Sequence, residues 1–282
     1  MILFPNAKIN IGLDVTHKRS DGYHELSTVM VPVPLYDILE IVDCGGNSGE
    51  TFLFVSGNNV NCPTEKNLVF RAASLLREEY GFKNKIEIYL RKIIPDGAGM
   101  GGGSSDAAFT LKGINEILSL SIPDERLKEI ASRIGADCPF FIKNVPQLAK
   151  GIGEKLTPIK IPELSGKNII IIKPPQTIST KEAYSNIRPF IPEIDLGLLI
   201  QEPLNRWSGL IKNDFEEVIF KFHPALKEIK DELRDQGAIY GSMTGSGSAF
   251  YGIFPENTDN LTEKFKLKLP GDYKFYEGTL KF

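Results

Sequence analysis

The sequence lacks the cysteine pattern of a disulfide-bonded or zinc-binding protein. Its 282 residues include three cysteines, Cys44, Cys62 and Cys138, and no two of them have CxxC spacing. An odd number of thiols without paired spacing argues against a disulfide framework and against a structural zinc site. We therefore interpret all three as buried or incidental thiols.

Long apolar runs and an excess of basic charge are also missing. No run approaches the length of about 18 residues that a membrane-spanning helix needs. Lys and Arg number 33 against 36 Asp and Glu, a formal net charge of −3, which does not fit duplex binding. The start, MILFPNAKIN, does not look like an export signal. The sequence predicts a cytoplasmic protein with neither a membrane nor a nucleic-acid partner.

The overall composition is that of a globular protein with a sizeable core. Hydrophobic residues make up 41% of the chain and charged residues 24%, and both values are close to globular averages. The length corresponds to about two domains or to one large one. The pattern of predicted strands and helices changes after Gly151-Ile152-Gly153-Glu154. We therefore predict two domains, at 1–155 and 156–282.

Hydrophobic periodicity predicts both strands and helices. Alternating or β-branched segments predict strands at 7–15, 23–33, 37–42, 86–92 and 168–173, with two more near 239–243 and 249–254. Apolar residues at helical spacing predict helices at 67–80, 124–134 and 224–236, and a further helix after the glycine-rich segment at 95–103. Asn67 is a suitable N-cap, and Gly135 and Gly237 suit the left-handed position after a helix.

The segment from Pro95 to Ser105 is the most informative part of the chain. It holds five glycines in seven positions, between a strand and a helix. Such glycines let backbone N–H groups converge on one point, and the helix N-terminus adds its positive dipole, so a phosphate is the natural ligand. The two serines either cap the helix or reach a phosphate oxygen or Mg²⁺. The predicted phosphate-binding residues are Pro95, Gly97, Ala98, Gly99, Met100, Gly101, Gly102, Gly103, Ser104 and Ser105.

Three familiar nucleotide-binding folds are disfavoured. The glycines at 97, 99 and 102 fit GxGxxG, but a second helix at 124–134 follows where a Rossmann unit needs a parallel strand. No GxxxxGK[ST] loop and no HRD or DFG signature occurs.

Three further clusters each allow a structural and a functional interpretation. Lys8 and Asn10 share one face of a predicted strand, where the alternative is a solvent-facing lysine. The small-residue segment 241–249 is either a tight hairpin or a loop that closes on a ligand. Asp137 stands before an apolar segment and is either functional or a turn residue.

Three motifs together resemble those of the GHMP small-molecule kinase superfamily: PNAKIN, GAGMGGGSSDAA and SMTGSGSAF. Within it, the segments RSDGYHEL, GADCPFF and GIGE are similar to the branch that phosphorylates the 2-hydroxyl of a cytidine diphosphate-linked methylerythritol in non-mevalonate isoprenoid synthesis. The resemblance implies a two-domain α+β fold, with an N-terminal domain like ribosomal protein S5 domain 2 and a ferredoxin-like C-terminal domain.

The resemblance also implies residue roles, with ATP and Mg²⁺ as cofactors and the metal ligands unassigned. Lys8 and Asp137 would be the catalytic pair, and the glycine-rich segment would hold the ATP phosphates. The implied substrate-binding residues are Asn10, Tyr23, His24, Thr180, Tyr184, Thr244, Gly245 and Ser246. The protein would be a monomer or a homodimer. The alternatives are a kinase for mevalonate, homoserine or a sugar, or an RNA-binding module, since fold alone does not decide function.

Overall fold

A computed structural model describes residues 1–58 and 62–282 of the chain. The chain forms two compact units that alternate along the sequence. Unit 1 comprises Met1–Ala7, Leu35–Asp96 and Gly101–Val145, and unit 2 comprises Lys8–Pro34, Gly97–Met100 and Pro146–Phe282. The predicted boundary near residue 155, which concerns continuous domains, stays a prediction.

The strands are β1 (Ile2–Leu3), β2 (Asn6–Lys18), β3 (His24–Tyr36), β4 (Ile38–Asp43), β5 (Thr51–Gly57), β6 (Ile86–Lys92), β7 (Gln147–Gly151), β8 (Lys155–Pro158), β9 (Asn168–Lys173), β10 (Tyr240–Met243), β11 (Phe250–Phe254) and β12 (Lys274–Thr279). The helices are α1 (Leu68–Tyr80), α2 (Gly102–Ile117), α3 (Asp124–Ser132), α4 (Phe140–Lys143), α5 (Thr180–Ser185), α6 (Leu196–Leu199), α7 (Trp207–Leu210), α8 (Asp214–Phe222), α9 (Ala225–Asp235) and α10 (Leu261–Lys266). Short 3₁₀ turns occupy Thr64–Lys66, Pro162–Leu164 and Leu204–Arg206.

Unit 1 contains a four-stranded sheet in the order β1-β4-β6-β5. Strand β6 alternates buried and exposed side chains, as its sequence predicts, and pairs with β4 antiparallel and with β5 parallel. Helix α1 begins where predicted, because the side chain of Asn67 accepts a hydrogen bond from the amide of Val69 (3.0 Å). Its apolar face is buried, as an amphipathic helix requires.

Unit 2 contains two four-stranded sheets, in the orders β2-β3-β7-β8 and β10-β11-β9-β12. Strand β9 carries four consecutive buried isoleucines and lies between β11 and β12, which explains its continuously apolar sequence. Helix α9 closes at Gly237, whose φ of 89° confirms the predicted left-handed position. Strands β10 and β11 pair antiparallel as a hairpin, close to their predicted bounds.

Two predicted helix boundaries are wrong. Helix α3 ends at Ser132 and is followed by Arg133 in a right-handed conformation. Gly135 does not have a positive φ, so it is not the left-handed closing residue. Helix α2 begins at Gly102 rather than after Gly103, because a glycine can occupy a first helical turn as well as a loop.

No helix in the described part of the chain combines the length and apolar character needed to cross a membrane.

Candidate active site

Two buried polar residues of strand β2 form the centre of a site in unit 2. Lys8 and Asn10 are each 3% exposed. The Lys8 ammonium donates hydrogen bonds to Asn10 Oδ1 (2.5 Å) and to the carbonyl oxygen of Gly99 (2.9 Å), and Asn10 Nδ2 donates to Thr28 Oγ1 (3.1 Å). The predicted shared face is therefore confirmed, and the alternative of a solvent-facing lysine is wrong. A buried ammonium of this kind is tolerated because oxygen acceptors surround it.

The loop after strand β10 contacts the same two elements. The Thr244 hydroxyl accepts from the amide of Asn10 (3.1 Å) and lies 3.2 Å from the Gly99 carbonyl oxygen, to which it donates. A Cβ on Gly245 would lie 3.3 Å from that carbonyl oxygen, so the two loops approach backbone to backbone. Ser246 follows, half-buried. The segment is thus both a hairpin and a loop that contacts the polar site, and the two interpretations are compatible.

Gly99 is required by this close approach. Its φ is 77°, and a side chain there would collide with the carbonyl oxygen of Thr244. On either side, Ala98 and Met100 are buried, and the Met100 carbonyl accepts a hydrogen bond from the amide of Lys8 (2.9 Å). The first half of the glycine-rich segment is therefore packed against the strand that carries Lys8.

The second half of the glycine-rich segment opens helix α2 in unit 1. Gly101 is the N-cap residue, with a φ of 68°, and no side chain caps the helix. Neither Ser104 nor Ser105 serves as the cap, so that structural alternative is wrong. The Ser105 hydroxyl is buried and has no hydrogen-bond partner among the described residues. The first-turn amides have no acceptor within the helix, so this end of α2 is suited to an anion.

The two ends of the predicted phosphate-binding segment differ in exposure. Pro95 is half-buried, whereas Gly97 is exposed with a φ of 60°. Gly103 is half-buried in the first turn of α2, where a Cβ would make only ordinary contact with Leu68. Gly102 is buried more tightly, since a Cβ there would lie 2.9 Å from Ile94.

A charged cluster lies beneath the first turns of α2. The Lys92 ammonium donates to Asp37 and, at 2.6 Å, to Asp106 Oδ2. Asp37 Oδ1 also accepts hydrogen bonds from the amides of Ile93 and Ile94. Lys92, Asp37 and Asp106 are 5%, 0% and 1% exposed. Within residues 1–58 and 62–282, Asp106 Oδ1 has no partner. Two carboxyl groups therefore share one ammonium.

None of these three residues was predicted from the sequence. A signal was available for Lys92, because it occupies the same face of strand β6 as the buried Ile86, Ile88 and Leu90. A lysine on an apolar strand face requires a buried acidic partner.

Burial raises the pKa of Asp106 to about 8, although the Lys92 charge lowers it. The folded-state pKa thus exceeds the ordinary value of 3.8. The folded protein therefore binds the Asp106 proton more tightly than the unfolded chain does. The stability that this proton contributes to the folded state is lost as the pH rises towards 8. We expect the free energy of unfolding to fall less between about pH 5 and about pH 8 in Asp106→Asn than in wild type, measured by urea titration. Parallel pH dependences in the two proteins would contradict this assignment.

Asp137 lies in a half-buried turn of unit 1, between helices α3 and α4. The next residue, Cys138, is buried. Burial raises the pKa of its thiol to about 12, with a smaller contribution in the same direction from the Asp137 charge. Cys138 is therefore a structural thiol, whereas Cys44 and Cys62 are exposed. The predicted pairing of Asp137 with Lys8 stays a prediction.

The predicted aromatic residues occupy unit 2 and include two rings in contact. The ring centroids of His24 and Tyr184 are 5.0 Å apart, and Tyr184 also packs edge-on against Phe215 (4.8 Å). Burial, more than the charge of Lys18, lowers the pKa of His24. Tyr23 is 60% exposed. The structure thus brings together two of the three predicted aromatic residues.

Thr180, a further predicted substrate residue, opens helix α5, the helix that also carries Tyr184. It is exposed. The helix cap is supplied by Ser179, whose hydroxyl accepts from the amide of Glu182 (3.0 Å). The Thr180 side chain is therefore not used as the cap.

Comparison with known proteins assigns the chain to a family. The GHMP kinases N terminal domain matches residues 67–144, and the GHMP kinases C terminal domain matches residues 194–270. A 4-diphosphocytidyl-2-C-methyl-D-erythritol kinase of Bacteroides thetaiotaomicron is 49% identical, over 92% of this chain and 94% of its own. The corresponding protein of Bacteroides fragilis is 46% identical, over 90% and 92% of the two chains. The chain belongs to the 4-diphosphocytidyl-2-C-methyl-D-erythritol kinase family.

Structural comparison agrees with this family assignment. The crystal structure of a 4-(cytidine 5'-diphospho)-2C-methyl-D-erythritol kinase superposes with a TM-score of 0.84 at 32% identity, over 100% of both chains. A homoserine kinase from Cytophaga hutchinsonii gives a TM-score of 0.67 at 17% identity, over 98% of this chain and 94% of its own, a likeness of fold alone. The predicted α+β GHMP kinase fold is confirmed. As a member of this kinase family, the protein is an ATP-dependent small-molecule kinase.

Proposed function

We propose that this kinase transfers the γ-phosphoryl group of ATP to the 2-hydroxyl of 4-diphosphocytidyl-2-C-methyl-D-erythritol, in the non-mevalonate route to isoprenoid precursors. The names of the relatives supply the acceptor. The observation that supports the chemistry best is the buried Lys8 ammonium, held by Asn10 and by the carbonyl of Gly99 in the glycine-rich segment. It puts a positive charge directly beside the proposed phosphate-binding backbone.

The glycine-rich segment is proposed to hold the ATP phosphates. Its glycines at 97, 99 and 101 have positive φ, and the uncapped N-terminus of α2 follows. Backbone amides and a helix dipole are well suited to spread phosphate charge without a dedicated cationic side chain.

Mg²⁺ is part of the same proposal. A hydroxyl is an oxygen ligand of the type that Mg²⁺ accepts. The Ser105 hydroxyl fits this need because it is buried in the first turn of α2 with no partner among the described residues. When bound, the ion would neutralise phosphate charge.

Asp137 is proposed to orient the acceptor hydroxyl and to take its proton. An ordinary carboxylate cannot deprotonate an alcohol before the reaction, since the two pKa values differ by about 12 units, roughly 16 kcal/mol. In a loose, metaphosphate-like transition state, however, the alcohol keeps its proton until phosphoryl transfer is well advanced. A carboxylate then suffices to accept the proton, and Lys8 offsets the developing negative charge.

Asn10, Thr180 and the loop residues Thr244, Gly245 and Ser246 are proposed to contact the acceptor. The cytosine ring is proposed to stack on Tyr23, His24 and Tyr184. A base between two rings needs about 3.5 Å on each side, or about 7 Å in all. At 5.0 Å, the rings of His24 and Tyr184 are too close to admit one. We therefore expect these two rings to separate when cytosine binds.

Replacing Tyr184 or Tyr23 by alanine is expected to raise KM for the cytidine substrate. Stacking on an aromatic ring contributes roughly 1 to 3 kcal/mol, so the expected rise is about 5- to 150-fold, with a smaller effect on KM for ATP. Steady-state kinetics with both substrates varied would measure this. Tyr89→Ala is the control, because Tyr89 is exposed as Tyr23 is and makes a ring contact as Tyr184 does, with Phe54 in unit 1. An unchanged KM in both test variants would remove the stacking hypothesis.

A coupled ADP-release assay over a panel of acceptors tests the proposal directly. We expect turnover with the cytidine-linked acceptor and little with mevalonate, homoserine or simple sugars. Activity on mevalonate but not on the cytidine compound would reverse the acceptor assignment. A salt-sensitive RNA gel shift without kinase activity would favour the RNA-binding alternative. Cytoplasmic location and a monomeric or homodimeric state stay predictions.

A further inference from the structure

The loop that contains Thr244 is held from behind by one side chain. Asn213, the N-cap residue of α8, is 2% exposed. Its Nδ2 donates hydrogen bonds to the carbonyl oxygens of Met243 (2.8 Å) and Gly245 (2.9 Å), and its Oδ1 accepts from the amide of Phe215 (3.0 Å). A single carboxamide therefore caps a helix and bridges the two carbonyls that flank Thr244.

The same segment is joined to the strand that carries Lys8 and Asn10. Leu13 on β2 forms a parallel bridge with Asn213, and its amide donates to the carbonyl of Lys212 (2.9 Å). From the other side, the Thr244 hydroxyl reaches the amide of Asn10 and the carbonyl of Gly99. Gly99 in turn accepts from Lys8. Within unit 2, Asn213 is thus connected to the Lys8 ammonium by hydrogen bonds and by the backbone of the loop at Thr244.

We propose that Asn213 is a positioning residue for phosphoryl transfer, whose amide fixes Thr244 and, through it, the Asn10 and Gly99 partners of Lys8. This inference rests on the proposed function, because it assigns Lys8 to the reaction.

Capping alone does not explain an asparagine here. Asp and Ser cap helices about as well as Asn. Only a carboxamide, however, combines an acceptor for the helix amide with two hydrogens for two carbonyls. The strand before the loop has a separate anchor, since Glu216 accepts from Ser242 Oγ (2.9 Å) and the amide of Met243 (2.8 Å). Asn213 therefore acts on the loop residues rather than on the whole hairpin.

The decisive variant is Asn213→Asp, which keeps the helix cap and loses both donors. A displacement of about 1 Å at a reacting group can cost about a hundredfold in rate. We expect kcat to fall by roughly 10- to 100-fold, with KM for ATP changed by less than about threefold. If Asn213→Asp does not fold, Asn213→Ser retains a cap and one donor and should show a smaller loss of kcat.

Asn115→Asp is the matched control. Asn115 lies late in α2, where its Nδ2 donates to the carbonyl of Ile122 (3.1 Å) and its Oδ1 accepts from the amide of the same residue (2.9 Å). The substitution again removes a carbonyl donor and keeps an acceptor, in a part of the chain with no proposed role in the reaction. We expect kcat within about threefold of wild type.

Coupling to Lys8 separates positioning from a merely structural role. If Asn213 acts through Lys8, then adding Asn213→Asp to Lys8→Met should lower kcat by much less than the same change lowers it in wild type. The inference would be overturned if Asn213→Asp lowered kcat by the same factor in Lys8→Met as in wild type. It would also be overturned if a folded Asn213→Asp enzyme had wild-type kcat with the acceptor that the panel identifies. Failure of wild type to use the cytidine-linked acceptor would instead overturn the proposed function.

Discussion

Replacing Lys8 by methionine, or Asp137 by asparagine, is expected to lower kcat by at least about a hundredfold, with smaller effects on KM for ATP. Methionine fills much of the buried space of Lys8 and removes its charge, so the Asn10 and Gly99 oxygens lose the ammonium as a donor. Asparagine keeps the shape of Asp137, but its amide cannot take the proton of the substrate hydroxyl as a carboxylate does. Both losses would fall on the transition state rather than on ground-state binding. ADP release under saturating ATP and acceptor would measure kcat.

Lys173→Met is the control for Lys8→Met. Lys173 is also buried, at 8% exposure, and its ammonium donates to the carbonyls of Pro174 (2.5 Å) and Gln176 (3.0 Å). The same chemical change at this position should leave kcat within about threefold of wild type once the protein is folded. A folded Lys8→Met enzyme with near wild-type kcat would show that the ammonium has no part in transfer, and the same result for Asp137→Asn would remove the base assignment.

Local sequence pattern predicted the elements in which the spacing of apolar residues matches their burial. Strands β6 and β9 match their predicted bounds, because strict alternation and an unbroken isoleucine run each have one stable arrangement in a sheet. Helix α1 also begins where its Asn67 cap predicts. Glycines were less informative, since Gly102 lies in a helix and Gly135 has no left-handed conformation. A glycine permits such a conformation without requiring it.

Long-range polar contacts could not be predicted in the same way. Lys8 and Asn10 were identified from their shared strand face, but the contact of Asn10 with Thr244 joins residues 234 positions apart. The partnership of Asn213 with the same loop has no local signature either, because an N-cap asparagine looks the same whether or not its amide donates elsewhere. Such partners become visible only when the chain is folded.

The charged cluster below α2 makes a strong prediction about stability. Lys92→Met is expected to lower the free energy of unfolding by about 3 to 5 kcal/mol, because it leaves Asp37 and Asp106 buried without a cation. The side chains of all three are at most 4% exposed, so water cannot replace the missing charge. Urea unfolding near neutral pH, followed by circular dichroism, would measure the loss.

A double variant separates the uncompensated charge from the loss of packing. In Lys92→Met with Asp37→Asn, the other carboxyl of the cluster becomes a neutral amide, because Asp106, with a pKa of about 8, is already mostly protonated near neutral pH. The amide oxygen at position 37 can still accept hydrogen bonds from the amides of Ile93 and Ile94. If charge dominates, the double variant should be more stable than Lys92→Met alone, even though it carries one more substitution in the core. If the double variant is instead less stable than Lys92→Met alone, the cluster stabilises unit 1 mainly through packing and hydrogen bonding. The expected penalty for an unpaired buried charge would then not apply to this cluster.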